Sequence, residues 1–269
     1  MRRGREGITM VEITRHPPGA FCWVDLATSD PDGAKAFYTS LFNWSARDLP
    51  TDRGVPYTML FRGDRRVCAL YRRAPDMGDR SRWQGYVAVA DVDAAADSAA
   101  AMGARLLMAP MDVMQAGRLA VIQDPTGAAV GLWQAGEHAG AELLNEPGAQ
   151  CWLELQTGDK RLAARFYGGL LGWTTRTSKS VMDGRYEIFV HDGREIGGML
   201  QIEKEWGPVP PNWSVYFGVD DCDGALKAAV GLGAKALFPA MDVESVGRFA
   251  FLQDPQGAVF AVIELAHPV

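Results

Sequence analysis

The sequence predicts an α+β protein of two tandem domains, each built from two βαβββ units. Three observations predict it: the chain repeats itself at long period, each half runs strand, helix and three strands twice over, and the same tight-turn motif recurs near the end of each half. Trp23 and Trp152, Trp44 and Trp173, and Phe37-Tyr38 and Phe166-Tyr167 stand 129 residues apart, while Trp83 and Trp213 stand 130 apart. Met111 to Val130 and Met241 to Phe260 are identical at about half of their positions. This register predicts domains at 17–136 and 148–268, a polar linker at 137–147 and a flexible N-terminal tail at 1–16.

Each element follows from its local pattern. Ala20 to Ala27 is an apolar, strand-like run, and Ser29-Asp30-Pro31 stops it and starts a helix. From Asp32 to Phe42 the residues Ala34, Phe37, Tyr38 and Leu41 recur at helical spacing. Three β-type runs follow, Trp44 to Leu49, Pro56 to Phe61 and Arg66 to Tyr71, punctuated by Gly54 and Gly63-Asp64. The order then restarts with a strand at Trp83 to Ala90 and an Ala-rich helix at Val92 to Met102, ended by Gly103. Strands at Arg105 to Met108, Leu119 to Gln123 and Ala128 to Gln134 complete the half. The second half repeats the scheme, with helices near Lys160 to Leu171 and Asp223 to Leu232.

Composition excludes several functions. The 269 residues carry a formal charge of −6 with the signs interspersed, so there is no broad cationic face for nucleic acid. The sequence has no apolar run of about eighteen residues and no secretory pattern, which predicts no membrane span. Cys22, Cys68, Cys151 and Cys222 lie far apart without a C-x-x-C pair, as expected of buried, reduced thiols in a cytoplasmic protein.

The chain resembles the vicinal-oxygen-chelate superfamily, the glyoxalase, bleomycin-resistance and extradiol-dioxygenase fold. Four features carry the resemblance: a strand followed by Ser29-Asp30-Pro31, the helix end Ala36-Phe37-Tyr38 with Leu41-Phe42-Asn43-Trp44, the helix entry Asp91-Val92-Asp93, and the turn Asp124-Pro125-Thr126-Gly127. They recur as Asp159, Phe166-Tyr167, Leu171-Gly172-Trp173, Asp221-Cys222-Asp223 and Asp254-Pro255-Gln256-Gly257. The resemblance implies a curved, mostly antiparallel sheet around a cleft in each domain. Asp124 and Asp254 read as turn formers, because Pro presets one φ and Gly supplies another. The paired aromatics of the first helices read as helix-to-sheet packing.

Metalloenzymes of this superfamily hold a divalent ion with His, Gln or Glu on the first strand of each unit and a Glu on the last. Counting from the motifs, these positions hold Trp23 and Trp152, Gly85 and Val215, and Gly131 and Ala261. None is a metal ligand. His16, His138, His191 and His267 fall in the tail, the linker, a turn and the C-terminus, so the sequence predicts clefts without metal or cofactor.

Strand alternation then sets which side chains fill the clefts. Phe21, Trp23 and Asp25 would share one cleft face, and Gln150, Trp152 and Glu154 the other. Cys22 and Cys151 would turn toward the helices. Trp83 and Trp133 would reach the first cleft, and Trp213, Phe217 and Ile263 the second. Each Trp either plugs a redundant cavity or forms the wall of a slot for a planar ligand. Asp25 and Glu154 are the candidate acids or bases, since an apolar setting raises a carboxyl pKa. Their alternative is a structural role, with Arg118 and Arg248 as partners or simple hairpin residues.

The resemblance extends to two-domain, metal-poor actinobacterial proteins of antibiotic pathways and to mycobacterial antigens of the same build. It implies binding of an aromatic or polycyclic small molecule in resistance, sequestration or support of an oxidative tailoring enzyme such as a cytochrome P450. The alternatives are a metal-free isomerase, cyclase or hydroxylase-type tailoring enzyme using Asp25 or Glu154, and then a glyoxalase-like lyase or dioxygenase. Each chain carries its own pair of clefts, so both monomer and homodimer are open.

Overall fold

The computed structural model describes residues 13–51, 54–75, 78, 80–179, 181 and 184–267. Its first sheet uses β1 (Phe21–Thr28), β2 (Ser45–Leu49), β3 (Tyr57–Arg62), β4 (Arg65–Arg72), β5 (Arg82–Ala88), β6 (Arg105–Val113), β7 (Gly117–Gln123) and β8 (Ala129–Ala135). These lie in the order β2-β3-β4-β1-β5-β8-β7-β6. The pairs β1·β4 and β5·β8 are parallel, and β1·β5, where the two units meet, is antiparallel. The second sheet repeats this with β9 (Gln150–Thr157), β10 (Thr174–Thr177), β11 (Glu187–His191), β12 (Arg194–Gln201), β13 (Asn212–Gly218), β14 (Lys235–Ala236), β15 (Met241–Val243), β16 (Gly247–Gln253) and β17 (Val259–Leu265).

Among the described residues four α-helices, α1 (Pro31–Phe42), α2 (Val92–Ala101), α3 (Lys160–Leu171) and α4 (Cys222–Gly231), each start on an aspartate. Asp30, Asp91, Asp159 and Asp221 accept the N–H three residues on, satisfying a donor that the first helical turn leaves open. Arg118 grips the helix entry at Asp93 (2.7 Å) and the hairpin at Asp112 (2.8 Å), and Arg248 does the same at Asp223 and Asp242. These arginines are hairpin clamps and not partners of Asp25 or Glu154.

The helix faces of both sheets meet in one apolar core. Tyr38, Trp44, Trp83, Phe217 and Phe260 belong to the same buried cluster as Phe21, Tyr167, Trp173 and Trp213. The junction is reciprocal. Tyr38 donates to Asp254 at 2.9 Å and Tyr167 to Asp124 at 2.7 Å, each from one domain's first helix to the other domain's turn. Trp44 Nε1 donates to Gly148 O, and Trp173 Nε1 to Gly19 O. Asp124 Oδ1 meanwhile accepts the N–H groups of Thr126, Gly127 and Ala128, as an Asp-Pro-x-Gly turn former should.

The connector is firmly packed. Residues 1–12 of the expected tail lie outside the described residues, but His16 is buried with Nε2 2.9 Å from Ala141 O. Ala141 N donates to Cys22 O, and Glu142 accepts from the backbone N–H and guanidinium of Arg66. The expected polar linker is therefore a strap across the first sheet, with Ala141 and Leu144 in that sheet's concave apolar cluster.

Candidate functional site

Away from the shared core, a continuous recess of about 1980 Å³ runs along both sheets and is bordered by Asp25 and Glu154. Its walls are mainly apolar and aromatic, including Tyr57, Tyr86, Trp152, Tyr186, Tyr216 and Phe251. The two carboxyls sit in duplicated settings. In the first domain Trp23 Nε1 donates to Tyr57 Oη at 2.9 Å, Tyr57 Oη to Asp25 Oδ2 at 3.1 Å, and Tyr86 Oη to the same oxygen at 3.2 Å. In the second, Trp152 Nε1 donates to Tyr186 Oη at 2.9 Å, Gln156 Nε2 donates to Glu154 Oε1 at 3.5 Å, and Tyr186 and Tyr216 are near enough to oppose the effect of burial on the Glu154 carboxyl.

Register explains the convergence. Asp25 lies on β1 beside β5, where Trp23 faces Tyr86, and β4 brings β3 with Tyr57 from the other side. Desolvation dominates the electrostatics and pushes the Asp25 carboxyl up to about 7, against the opposing pull of the two phenols and Arg82. Burial likewise raises Glu154 above the usual carboxylate range. It also holds all four phenols well above theirs, so they stay neutral donors.

Several expected cleft residues lie on the opposite face. A bulge between Phe21 and Trp23 shifts the β1·β5 register, so Phe21 turns into the shared core against Trp173 and Trp213. Cys22 then joins Trp23 on the concave side. In the second sheet the matching irregularity leaves Cys151 as the extra residue and puts it on the concave side, while Phe217 alternates in step with Trp213 and Val215 into the core against Phe42 and Trp44. Trp83 pairs with the core residue Leu26 and donates to Tyr38, and Trp213 donates to Tyr167; both indoles border the recess only from the core side. Trp133 does face the concave side, but its N–H is bonded to His138 O.

The two remaining tryptophans differ. Trp23 lies beneath the strap, edge-on to the His138 ring at 4.5 Å, and is buried outside the recess wall. Among the described residues Trp152 has no such cover, and it stands half-buried in the wall. Sequence reasoning missed Tyr57, Tyr86, Tyr186 and Tyr216, although the same self-comparison pairs them at 129 and 130 residues.

The donor set does not suit the divalent ion of the fold's metalloenzymes. The cleft-facing position of β5 is Tyr86 and not Gly85, whose missing side chain points at Leu153 in the core. The missing side chain of Gly131, the last-strand position, points into the Tyr86 ring. What remains at each site is one buried carboxyl among neutral phenols, without imidazole, whereas such ions take convergent His and carboxylate ligands. Among the described residues no three His, Cys, Asp or Glu side chains cluster to hold a metal.

Comparison with known proteins agrees with the architecture. The profile of the glyoxalase/bleomycin resistance protein/dioxygenase superfamily matches residues 20–132, and that of a glyoxalase-like domain matches 152–263. The chain belongs to this superfamily. It is 41% identical over 260 residues to a Mycobacterium tuberculosis protein named as a glyoxylase, CFP32, covering 96% of this chain and 99% of the relative. It is 34% identical over 268 residues to the anthracycline biosynthesis protein DnrV of Streptomyces peucetius, covering 94% and 96%. Among solved structures, the Mn(II)-bound glyoxalase of Novosphingobium aromaticivorans superposes with a TM-score of 0.63 at 17% identity, covering 94% of this chain and 84% of that one. The 2,3-dioxygenase LapB of Pseudomonas gives 0.63 at 12% identity, covering 97% and 95%. Members of the superfamily share this fold while their sites differ. Among the described residues, no helix is long and apolar enough to cross a membrane.

Proposed function

We propose that the recess binds a polycyclic aromatic small molecule and that the chain serves as an accessory protein in the oxidative tailoring of such a compound. The observation that carries this reading is the recess itself, larger than a drug-sized ligand needs and walled largely by apolar and aromatic side chains, with Asp25 and Glu154 as its buried carboxyls among the described residues. Trp152 is its stacking wall, because an indole offers a large apolar face at little cost in rotamer entropy. Trp23 packs beneath the strap and supports the site from behind. The extensive match to an anthracycline biosynthesis protein supports the ligand class and an accessory role in biosynthesis.

Equilibrium dialysis of the full chain against an anthracycline tests this reading. Saturable binding that falls at least tenfold in Trp152→Ala supports it, and a wild-type chain that does not retain the compound refutes it. A second reading, metal-free acid–base catalysis, is favoured by the Asp25 carboxyl titrating near neutrality. Asp25→Asn would abolish turnover under that reading and leave binding intact under the first.

A further inference from the structure

The buried carboxyls of the recess select the ligand chemically, an inference that rests on the recess being a binding site. In the first domain the hydrogens can be followed one at a time. Trp23 Nε1 donates to Tyr57 Oη, so the Tyr57 hydrogen is directed at Asp25 Oδ2. Tyr86 donates to the same carboxyl. An ionised Asp25 would accept both hydrogens and the group would be complete. A protonated Asp25 brings one more hydrogen, and among the groups bonded to it only Tyr86 Oη remains to accept it. If it turns there, the Tyr86 hydrogen must turn away. In either arrangement one O–H is left over at the edge of the recess, where both residues stand.

We propose that Asp25 with Tyr57 and Tyr86, and Glu154 with Tyr186 and Tyr216, form hydrogen-bond donor sites for a carbonyl or quinone oxygen of the aromatic ligand. A buried donor without an acceptor is costly, so a ketone oxygen that completes the group is preferred over a hydrocarbon edge that cannot. The recess thus distinguishes an oxygenated polycycle from its deoxy counterpart by a proton held on a buried carboxyl.

The charges around each acid fix the pH response. Asp25 is faced by Tyr57 from β3, Tyr71 from β4, and Arg82 and Tyr86 from β5, with Cys68 of β4 behind the sheet in the core. Burial holds the phenols and the thiol neutral, so Asp25 is the group among them that changes state near neutrality. Around Glu154 stand Gln156, Tyr186 and Tyr216, with Cys151 beyond Tyr216 and Glu195 beyond Tyr186. The donor exists in the acid form, so ketone binding weakens as pH rises through the titration.

Equilibrium dialysis of the full chain with 9-fluorenone and with fluorene, at pH 6 and pH 8.5, tests the proposal. The two probes share one tricyclic frame and differ in a single carbonyl. The expected result is a ketone preference of about three- to tenfold at pH 6, the worth of one hydrogen bond, shrinking toward unity at pH 8.5. The double variant Asp25→Asn/Glu154→Gln keeps an N–H donor at every pH, so its preference should persist at pH 8.5, which a merely structural role would not produce. Fluorene binding, which does not use the acid, reports whether that variant retains its recess, and the wild-type pH comparison stands without it. Equal binding of both probes at both pH values overturns the donor sites while leaving an aromatic recess in place. Retention of neither probe overturns both readings.

Discussion

Tyr38, on the first helix of one domain, donates its phenolic hydrogen to Asp254, in the last hairpin turn of the other, across 2.9 Å. Tyr167 and Asp124 repeat this bond in the opposite direction at 2.7 Å. All four side chains are buried, and each tyrosine oxygen also accepts an indole hydrogen, from Trp83 or Trp213. The bonds pair polar groups inside a core that both domains share, so they tie domain to domain while the concave faces are left free.

Tyr38→Phe should destabilise the protein by about 1–3 kcal/mol, the cost of leaving buried polar partners unsatisfied. Tyr167→Phe should cost a similar amount, and the double variant about the sum, since the two bonds share no partner. Urea unfolding checks this. A single transition in all variants is expected, because the two domains share one core.

The strap should respond to its ion pair. Burial raises the Glu142 carboxyl, but the hydrogen bonds from the Arg66 side chain and backbone together with the nearby Arg66 charge hold it below its ordinary value. A depressed carboxyl pKa contributes stability above its unfolded value, and that contribution is lost as pH falls through the lower folded value. Glu142→Ala should therefore speed hydrogen exchange at the Ala141 amide, which is bonded to Cys22 O, and should leave the β13 amides unchanged. Equal acceleration in both places would contradict a local strap.

Asp25 carries the opposite sign. Its folded pKa is pushed up to about 7 by burial. Ionising it therefore opposes folding progressively as pH rises from the ordinary carboxylate value toward neutrality, at a cost approaching about 1.4 kcal/mol for each pH unit crossed. In Asp25→Asn the urea midpoint should vary less with pH across that window. A carbon-13 titration of the Asp25 carboxyl in the full chain should show a midpoint near neutrality, and a midpoint at the ordinary carboxylate value would contradict the dominance of burial.

The two matched tryptophans should behave differently. Trp23→Ala removes a buried indole beneath the strap and should cost about 3–5 kcal/mol of stability. Trp152→Ala, at a half-buried position on the recess wall, should cost less stability and more affinity. Urea unfolding beside ligand dialysis separates the two, and equal effects on both quantities would contradict the assigned difference.

Much of the fold was legible because duplication is a long-range signal: Trp23/Trp152 and the Asp-Pro-x-Gly turns fix register without local propensity. Asp25 and Glu154 were legible as cleft residues because alternation holds along the regular stretch of each strand. Phe21, Cys22 and Cys151 were not, since a one-residue bulge reverses every face on one side of it and leaves no mark in a single strand's pattern. Trp83 and Trp213 look like cleft aromatics until the β1·β5 and β9·β13 pairings place them opposite core leucines. Tyr57 and Tyr86 reach Asp25 from two further strands, so their contact depends on registers that composition does not encode.

A crystal structure of the chain with a polycyclic aromatic ketone tests the central claim most directly. The ring system is expected against Trp152, with its carbonyl oxygen within hydrogen-bond distance of the Glu154–Tyr216 group or its Asp25–Tyr86 counterpart. A structure with the recess closed by protein, or with the compound bound only outside it, would contradict that claim.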